Sequence, residues 1–402
     1  MSQKTALLIK TSLCIFLAIL LLTNCTGKTT TAPSATSEPA TETTQPVLEE
    51  EQEPEWLIIG DNRIRNSERQ GKHNYYLKSE AETITRVRLR VNLSNEIEPL
   101  DPELILTHLE GIEQLINLQQ LTIAGWGIEE LDFYPLNPLE NLNLIRFASG
   151  SGTAKLTRIP DLSAIASRES ITSILFEDCA LTNLDNIEFL PNLQEIIVAR
   201  NSGDMTNINA LNSLRHIEVL EIYSTRNSIY SIEEIGEKPK LKRLRLSGKQ
   251  VDVKGIENFI FLEDIYFSES NVINTEYLSG LKNVEYLEMM IREPKPDISF
   301  LKGVKNLKHL VLYAADGTWG RQEVERFQIL DLGPIGNLSQ LRYLKLCGFI
   351  LQNVAALNKL DNLEQTLFTH SVLKDNSEIS SKKLIFHPDT PNFTPVWGIN
   401  EW

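Results

Sequence analysis

Cysteine and histidine are scarce in this sequence. The 402 residues include four cysteines, none in a C-x-x-C pair, and six histidines, none in an H-E-x-x-H arrangement or paired with cysteine at ligand spacing. These spacings exclude the common zinc patterns, and because two of the cysteines lie in the first 25 residues, the fold is not expected to rest on disulfides. No paired carboxylates accompany a glycine-rich loop either. The sequence therefore predicts no metal, no cofactor and no enzymatic activity.

Positive charge is also lacking. Lys and Arg number 39 against 54 Asp and Glu, which gives a formal net charge of -15 and a pI near 5.0. Such a chain repels phosphate backbones, so we discount nucleic acid as a partner. Hydrophobic residues still make up 42% of the chain, enough for most of it to bury a core.

An apolar run close to the start reads as an export signal. Lys4 and Lys10 precede residues 11–23, which are apolar but too short for a membrane span of about 20 residues. A basic region followed by such a run is typical of a signal peptide. We predict that residues 1–24 are that peptide.

The end of this run resembles a bacterial lipobox. Leu22 occupies the -3 position and Cys25 would become the acylated first residue, although Asn24 replaces the usual small residue between them. We predict lipidation at Cys25, which would make the chain an exported, membrane-anchored lipoprotein at the cell surface or outer membrane. Ordinary signal-peptidase cleavage nearby is the alternative.

Residues 25–55 consist of the lipidated cysteine and a segment rich in Thr, Ser, Pro, Ala and Glu. With few apolar residues to pack, such a segment is predicted to be disordered. About 30 extended residues reach roughly 90 Å, so we interpret it as a tether. Its presence does not decide which side of an outer membrane the protein faces.

A ladder of short apolar repeats follows the tether. The clearest unit starts at Ile171, continues with Ile174 and Phe176, and restarts 22 residues later at Leu193. Starts recur at intervals of 21 to 34 residues, at Ile84, Leu118, Leu142, Ile171, Leu193, Ile217, Leu241, Leu262, Val284, Leu307, Leu341 and Leu363. We predict a solenoid of about 12 units over residues 84–380.

The spacing within a unit predicts the fold class. Apolar residues two apart share one face of a short strand, and the apolar residues three apart that follow suit 3₁₀ or irregular turns. One coil cannot bury its inward side chains alone, so coils stack into a parallel sheet over a continuous core. The expected fold is an α/β repeat solenoid, a horseshoe with a parallel concave β-sheet and a 3₁₀ or irregular convex side.

The eighth residue after each start normally holds a buried Asn or Cys. Cys179 and Asn201 fit, whereas Trp126, Lys249 and Ser270 depart from the pattern. With its twelve starts, the array resembles the bacterial leucine-rich repeats with a 22-residue unit, as in internalins, over residues 84 to about 373. The resemblance implies a binder of other proteins, often on host cells.

The ends of the array need caps that shield its core. We predict an N-terminal cap over residues 56–83 and a C-terminal cap over residues 381–402. Asp101 and Pro102 are an N-cap and first-turn pair, so the long first unit is expected to contain a true helix.

The second, fourth and sixth residues after each start are predicted to face the concave side. In the first half these include Gln120, Thr122, Arg146 and Glu195. Aromatics and methionine collect in the second half, which we predict to be the partner-binding surface: Tyr223, Tyr266, Tyr286, Met290, His309, Tyr313 and Tyr343. Such a composition is typical of binding hot spots, although tyrosines also simply cover strand surface.

Three other features are candidates. Trp319 lies in the unusually long unit between Leu307 and Leu341 and is expected to be either a partner-binding anchor or a plug over the core. Cys347 falls on the concave face, where we favour a partly covered free thiol over a reactive one. Arg86, Arg88 and Arg90 on the first strand suggest a solvated edge or a patch paired with acids.

The leading hypothesis is therefore a lipid-anchored leucine-rich-repeat protein that binds a protein partner through its concave face, with an adhesin as one form of this role. A glycan or cell-wall binder and a structural envelope protein without a discrete ligand remain open.

Overall fold

Short parallel strands recur at the predicted repeat starts. The computed structural model describes residues 55–60, 62–65, 75–92, 106–149, 155–225, 227–267, 270–292, 296–314, 328–374 and 384–387. Most of the predicted tether, the signal peptide, Cys25, Trp319 and the helix expected from Asp101 lie outside these residues.

A small antiparallel hairpin precedes the array, formed by β1 (Ile58–Ile59) and β2 (Asn62–Arg63). In the described part of the chain, thirteen strands then form one sheet. They are β3 (Arg86–Asn92), β4 (Gln120–Trp126), β5 (Leu144–Ser149), β6 (Ser173–Glu177), β7 (Glu195–Ala199), β8 (Val219–Tyr223), β10 (Arg243–Ser247), β12 (Asp264–Phe267), β14 (Tyr286–Ile291), β15 (His309–Ala314), β17 (Tyr343–Cys347), β19 (Gln365–Thr369) and β21 (Leu384–His387).

Two smaller parallel sheets are formed by short strands that come, along the chain, after strands of the large sheet. They consist of β9 (Ile229–Ser231), β11 (Gln250–Asp252) and β13 (Asn271–Ile273), and of β16 (Gln328–Asp331), β18 (Phe349–Gln352) and β20 (Val372–Leu373).

Short 3₁₀ helices connect the strands, and a single α-helical turn, α1 (Ile232–Ile235), is the α-helix of the described residues. The 3₁₀ segments are Lys78–Thr83, Ile112–Gln114, Ile128–Glu130, Tyr134–Leu136, Ser163–Ile165, Ile187–Phe189, Asn209–Ser213, Ile256–Asn258, Thr275–Gly280, Ser299–Lys302, Ile335–Asn337 and Val354–Lys359. Parallel strands alternating with 3₁₀ turns confirm the predicted leucine-rich-repeat solenoid.

Strand pairing keeps equivalent repeat positions side by side. Ile174 pairs with Ile196 and Phe176 with Val198, and all four side chains are fully buried. The same register continues across the sheet, so the third and fifth residues after each start form two inward columns. Each buried aliphatic or aromatic side chain contributes about 1.5–3 kcal/mol.

Aromatic rings reinforce the core near the first strands. Phe147 stacks on Phe176 with ring centroids 5.4 Å apart, and Phe133 meets Phe147 edge-on at 5.8 Å. These pairs lie on the inward side of β5 and β6, where consecutive coils carry phenylalanine at the same position.

Polar side chains tie each coil to the previous one inside the array. The amide of Asn201 accepts a hydrogen bond from the Leu181 amide at 2.7 Å and donates to the Leu181 carbonyl at 2.9 Å. Ser270, which departs from the Asn or Cys pattern, is fully buried and accepts the Gly248 amide at 2.9 Å. A serine hydroxyl thus takes the place of the asparagine, because the buried backbone amide of the neighbouring coil needs a hydrogen-bond acceptor.

A second ladder runs along the outside, one residue before the repeat starts. There an asparagine side chain donates to a backbone carbonyl of the preceding coil. The members are Asn117, Asn141, Asn192, Asn283, Asn306 and Asn362. The ladder repeats the same coil-to-coil link in both halves of the array.

The residues predicted as the C-terminal cap include a strand of the large sheet. Leu384–His387 pairs in parallel with β19 and continues the strand order of the array. Residues 388–402 lie outside the described residues, so the cap itself stays a prediction.

Candidate functional site

The outward side chains of the large sheet form the predicted concave columns. On β14, Leu287 and Met289 are buried while Tyr286, Glu288 and Met290 are half-exposed on the other face. Because neighbouring strands are in register, these side chains lie beside their counterparts on β12 and β15. We call the concave side chains of β8 to β17 the second-half face.

A charged cluster occupies the first part of the second-half face. The guanidinium of Arg245 donates to Asp264 with an Nη2–Oδ2 distance of 2.7 Å and lies 3.8 Å from the Glu221 carboxylate. Arg243 lies 3.6 Å from Glu221 and 3.5 Å from Asp264. Two arginines therefore alternate with two carboxylates over three neighbouring strands.

Burial strengthens the interactions between the charges of this cluster. Glu221 is 8% exposed, and this burial raises the pKa of its carboxyl against the opposing charges of Arg245 and Arg243. Burial alone would lower the pKa of Arg245, but its hydrogen bond to Asp264 and the charges of Asp264 and Glu221 raise it. The arginine is thus held in its charged form by its partners.

Tyrosines frame the charged cluster. The Tyr223 hydroxyl donates to Glu221 at 3.2 Å, and the Tyr223 and Tyr266 rings meet edge-on with centroids 6.1 Å apart. The Arg245 guanidinium lies over the Tyr266 ring at 5.9 Å, within cation–π range. Burial raises the pKa of Tyr223. These rings are therefore positioned by polar contacts as well as by packing.

A second cluster surrounds Glu288. Its carboxylate accepts a hydrogen bond from the Tyr286 hydroxyl. Lys345, 6% exposed, donates to the Tyr313 hydroxyl at 3.3 Å and lies over the Tyr313 ring at 5.1 Å. Burial raises the pKa of Glu288 and lowers that of Lys345. Burial, and then the nearby Glu288 charge, also raises the pKa of both Tyr286 and Tyr313.

An aromatic column borders the second cluster. The His309 ring lies between those of Tyr286 and Tyr343, with centroid distances of 6.2 and 5.9 Å. His309 is exposed, whereas both tyrosines are half-buried. Met290 is the register partner of Tyr313 on the next strand. Together these residues form a row of neighbouring side chains along β14, β15 and β17.

The predicted aromatic residues are thus placed on one face. Tyr223, Tyr266, Tyr286, Met290, Tyr313 and Tyr343 are half-exposed and His309 is exposed on adjoining strands. Their role in binding stays a prediction. Trp319 lies outside the described residues, so neither of its two expected placements is tested.

The charged members of the second-half face were missing from the sequence-based selection. They are Glu221, Arg243, Arg245, Asp264, Glu288 and Lys345. All occupy the second or fourth position after a repeat start, so the same column reading already contained the signal. The selection by aromatic character left out the charged residues that position the rings.

Cys347 differs from the expectation of a partly covered thiol. It lies at the end of β17, is 3% exposed and forms no disulfide. Burial raises the pKa of its thiol to about 11. The thiolate is the reactive form, so this cysteine is protected rather than poised for chemistry.

The first strands present a different concave surface. Arg86, Arg88 and Arg90 are exposed on β3, and none of the ion pairs found among the described residues involves them. Of the two expectations for these arginines, the described residues form the exposed strand edge and do not form the patch paired with acids. Further along, Arg146 pairs with Glu177.

No group of three or more potential metal ligands occurs in the part of the chain that the structure describes. Within the same residues, no helix has the length and apolar character needed to cross a bilayer.

No protein-family profile matches the chain, and no curated protein sequence does. Among solved structures, an internalin from Listeria monocytogenes strain 4b F2365 aligns with a TM-score of 0.39 and 16% identity over 74% of this chain and 91% of its own. A leucine-rich-repeat protein of Leptospira interrogans gives 0.47 and 17% over 74% and 75%.

A plant protein also aligns. The leucine-rich-repeat ectodomain of the Arabidopsis thaliana receptor kinase GASSHO1/SCHENGEN3, solved with CASPARIAN STRIP INTEGRITY FACTOR 2, gives a TM-score of 0.43 and 16% identity over 66% of this chain and 31% of its own. The fold assignment of this chain rests on its own registered parallel sheet.

Proposed function

We propose that this chain is a binding module that holds a protein partner on the second-half face. The observation that carries the proposal is the combination of half-exposed rings with charges that already hold them in place. Tyr286 is fixed by Glu288, and Tyr313 by Lys345. A surface ordered before binding loses less conformational entropy on association, which favours affinity.

The composition of this face supports a protein ligand. Tyr, Met and Arg are enriched in the cores of protein interfaces, and a few buried aromatic anchors there usually carry most of the binding energy. The paired charges of Arg245, Asp264 and Glu221 add directional groups that can select one partner over another.

The test uses the full-length protein with an affinity tag, expressed in its own envelope, and quantitative identification of the captured proteins. We expect Tyr286→Ala and Tyr313→Ala each to deplete the same captured partner, because each removes a ring from the proposed contact. Loss of one hot-spot residue costs about 2 kcal/mol, or roughly 30-fold in affinity.

Tyr134 provides a matched control. It is a tyrosine with 68% exposure in a 3₁₀ turn outside the concave sheet. Tyr134→Ala should leave capture unchanged. Equal capture by all three variants, with unchanged thermal midpoints, would place the partner elsewhere on the protein.

Glycan binding is the second candidate, and the aromatic column favours it. Tyr286, His309 and Tyr343 form a row of neighbouring rings, and aromatic rings are the side chains that stack on sugars. Retention of the purified protein on cell wall or glycan arrays, lost in Tyr343→Ala, would support this function over protein binding.

We also propose that Cys25 carries the lipid anchor and that the module is displayed from the envelope. The lipobox-like sequence supports this assignment. Intact-protein mass spectrometry should show the acyl mass, and Cys25→Ser should lose it. Protease treatment of intact cells then distinguishes a surface protein, which is digested, from a periplasmic one, which is protected.

A further inference from the structure

Arginines concentrate at the N-terminal end of the sheet although the protein is strongly acidic. Arg63 and Arg65 follow the first hairpin strand, and Arg86, Arg88 and Arg90 alternate along β3. All five are exposed. This density of one charge contrasts with the formal net charge of -15 for the whole chain.

The fold brings four of these side chains around one cleft. On β3, Val87 and Leu89 point into the core, so Arg88 and Arg90 project from the opposite face about 6.6 Å apart along the strand. The hairpin places Arg63 and Arg65 on the other side of an open cleft of about 220 Å³. We call the group of Arg63, Arg65, Arg88 and Arg90 the arginine cleft.

Among the described residues, Arg63, Arg88 and Arg90 lack the carboxylate pairing seen elsewhere on the sheet. Arg146 and Arg245 each contact a carboxylate. In contrast, the ion pairs of the described residues include none with Arg63, Arg88 or Arg90, and the described lining of the cleft contains no Asp or Glu. The Arg63 guanidinium lies over the Trp56 ring at 5.5 Å, which orients it.

Clustered guanidinium groups repel one another, and a bound anion relieves that repulsion. A guanidinium offers two parallel N–H donors that match the oxygen pairs of phosphate, and several such groups favour an anion of high charge over a single carboxylate. We propose that the arginine cleft binds a ligand through multiply charged phosphate groups, independently of the second-half face. A solvated strand edge, which also uses arginine, predicts no such ligand.

The first experiment is calorimetric titration of the full-length protein, held in neutral detergent micelles, with inorganic tripolyphosphate. We expect saturable binding that weakens with added salt. The triple variant Arg63→Gln, Arg88→Gln and Arg90→Gln should bind at least about 10-fold more weakly, because it removes three charge-assisted contacts.

A control variant removes the same charge elsewhere: Arg158→Gln, Arg215→Gln and Arg342→Gln. It should bind within about threefold of the wild type, since these residues lie outside the cleft. Equal weakening in both triple variants would mean diffuse charge attraction and would overturn the proposal, as would an absence of binding by the wild type. Thermal midpoints of both variants show that each is folded.

Lysophosphatidic acid is added to the micelles to identify the phosphate source, because its phosphomonoester headgroup carries close to two negative charges at neutral pH. If lipid headgroups are the natural ligand, the added lipid competes and weakens tripolyphosphate binding by the wild type but not by the triple cleft variant. A free phosphate ligand predicts unchanged binding. Either result supports a phosphate site, whereas weakening that is equal in the cleft variant contradicts it.

Discussion

The two ends of the concave sheet share one scaffold and differ in what they present. On β3, Arg86, Arg88 and Arg90 are exposed with no ion pair to the described residues. From β8 to β17, large rings and opposite charges contact one another and are partly covered. The inward columns keep the coils stacked at both ends, so the outward residues can change without changing the fold. This freedom is how one repeat architecture acquires different surfaces.

The largest expected contrast concerns partner affinity. The double variant Tyr286→Ala and Tyr313→Ala should bind the captured partner about 100-fold more weakly or worse, because two proposed anchors are lost. Gln120→Ala with Thr122→Ala, on the concave columns of β4, should change affinity less than about threefold. Surface plasmon resonance with the identified partner measures both, and a larger loss in the β4 variant would reverse the comparison.

Substituting arginines at the two ends should change the free energy of unfolding by different amounts. Arg245→Met leaves Glu221 and Asp264 without their main counter-charge and should lower the free energy of unfolding by about 1–3 kcal/mol, below the value for a fully buried pair because Arg245 is partly exposed. Arg88→Met, which breaks no ion pair with the described residues, should change the free energy of unfolding by less than about 0.5 kcal/mol. Urea denaturation compares them, and equal losses would show that the second-half network contributes no stability.

The pH dependence of stability tests the burial of Glu288. Its pKa is raised in the folded protein, so the folded state binds the proton more tightly than the unfolded chain. Stability from this group is present below the unfolded pKa of about 4.3 and is lost as pH rises through the folded pKa. Glu288→Gln removes this loss, so the variant should gain stability relative to the wild type between pH 4 and pH 7.

Denaturation curves at several pH values check this prediction. Glu140→Gln, an exposed carboxylate outside the concave face, serves as the reference for an equal change of net charge. A parallel wild-type and Glu288→Gln profile would mean that Glu288 is not held in a desolvated position.

The smallest expected effect concerns what both ends share. The side chains of Asn117 and Asn306 each donate to a carbonyl of the preceding coil at 2.8 Å. Asn117→Ala and Asn306→Ala should each cost about 0.5–1 kcal/mol, because one exposed hydrogen bond is lost in either case. Thermal unfolding should show equal shifts; a clear difference would mean that the scaffold itself differs between the ends.

The sequence predicts the fold well because its strongest signal is a period imposed by packing. Residues such as Ile174 and Phe176 must share a face of their strand, and the stacking of coils buries that face in the core. The role of Ser270 was not predictable from the Asn or Cys pattern, since a hydroxyl accepts the Gly248 amide only once the coils are stacked.

The surface was predicted less completely. The columns placed Tyr286, Tyr313, Glu288 and Lys345 on one face but did not show that the charged side chains would contact the rings, because these contacts depend on side-chain conformation and on which strands are neighbours. The same limitation explains Cys347, whose burial depends on the surrounding fold rather than on its position in the column.

Site-specific photo-crosslinking tests the central claim most directly. A benzophenone amino acid at His309, which is exposed on the second-half face between Tyr286 and Tyr343, should crosslink the captured partner in the native envelope. The same probe at Gln120, on the equivalent column of β4, should not. Crosslinking from Gln120 with none from His309 would contradict the assignment of the binding surface to the second half of the sheet.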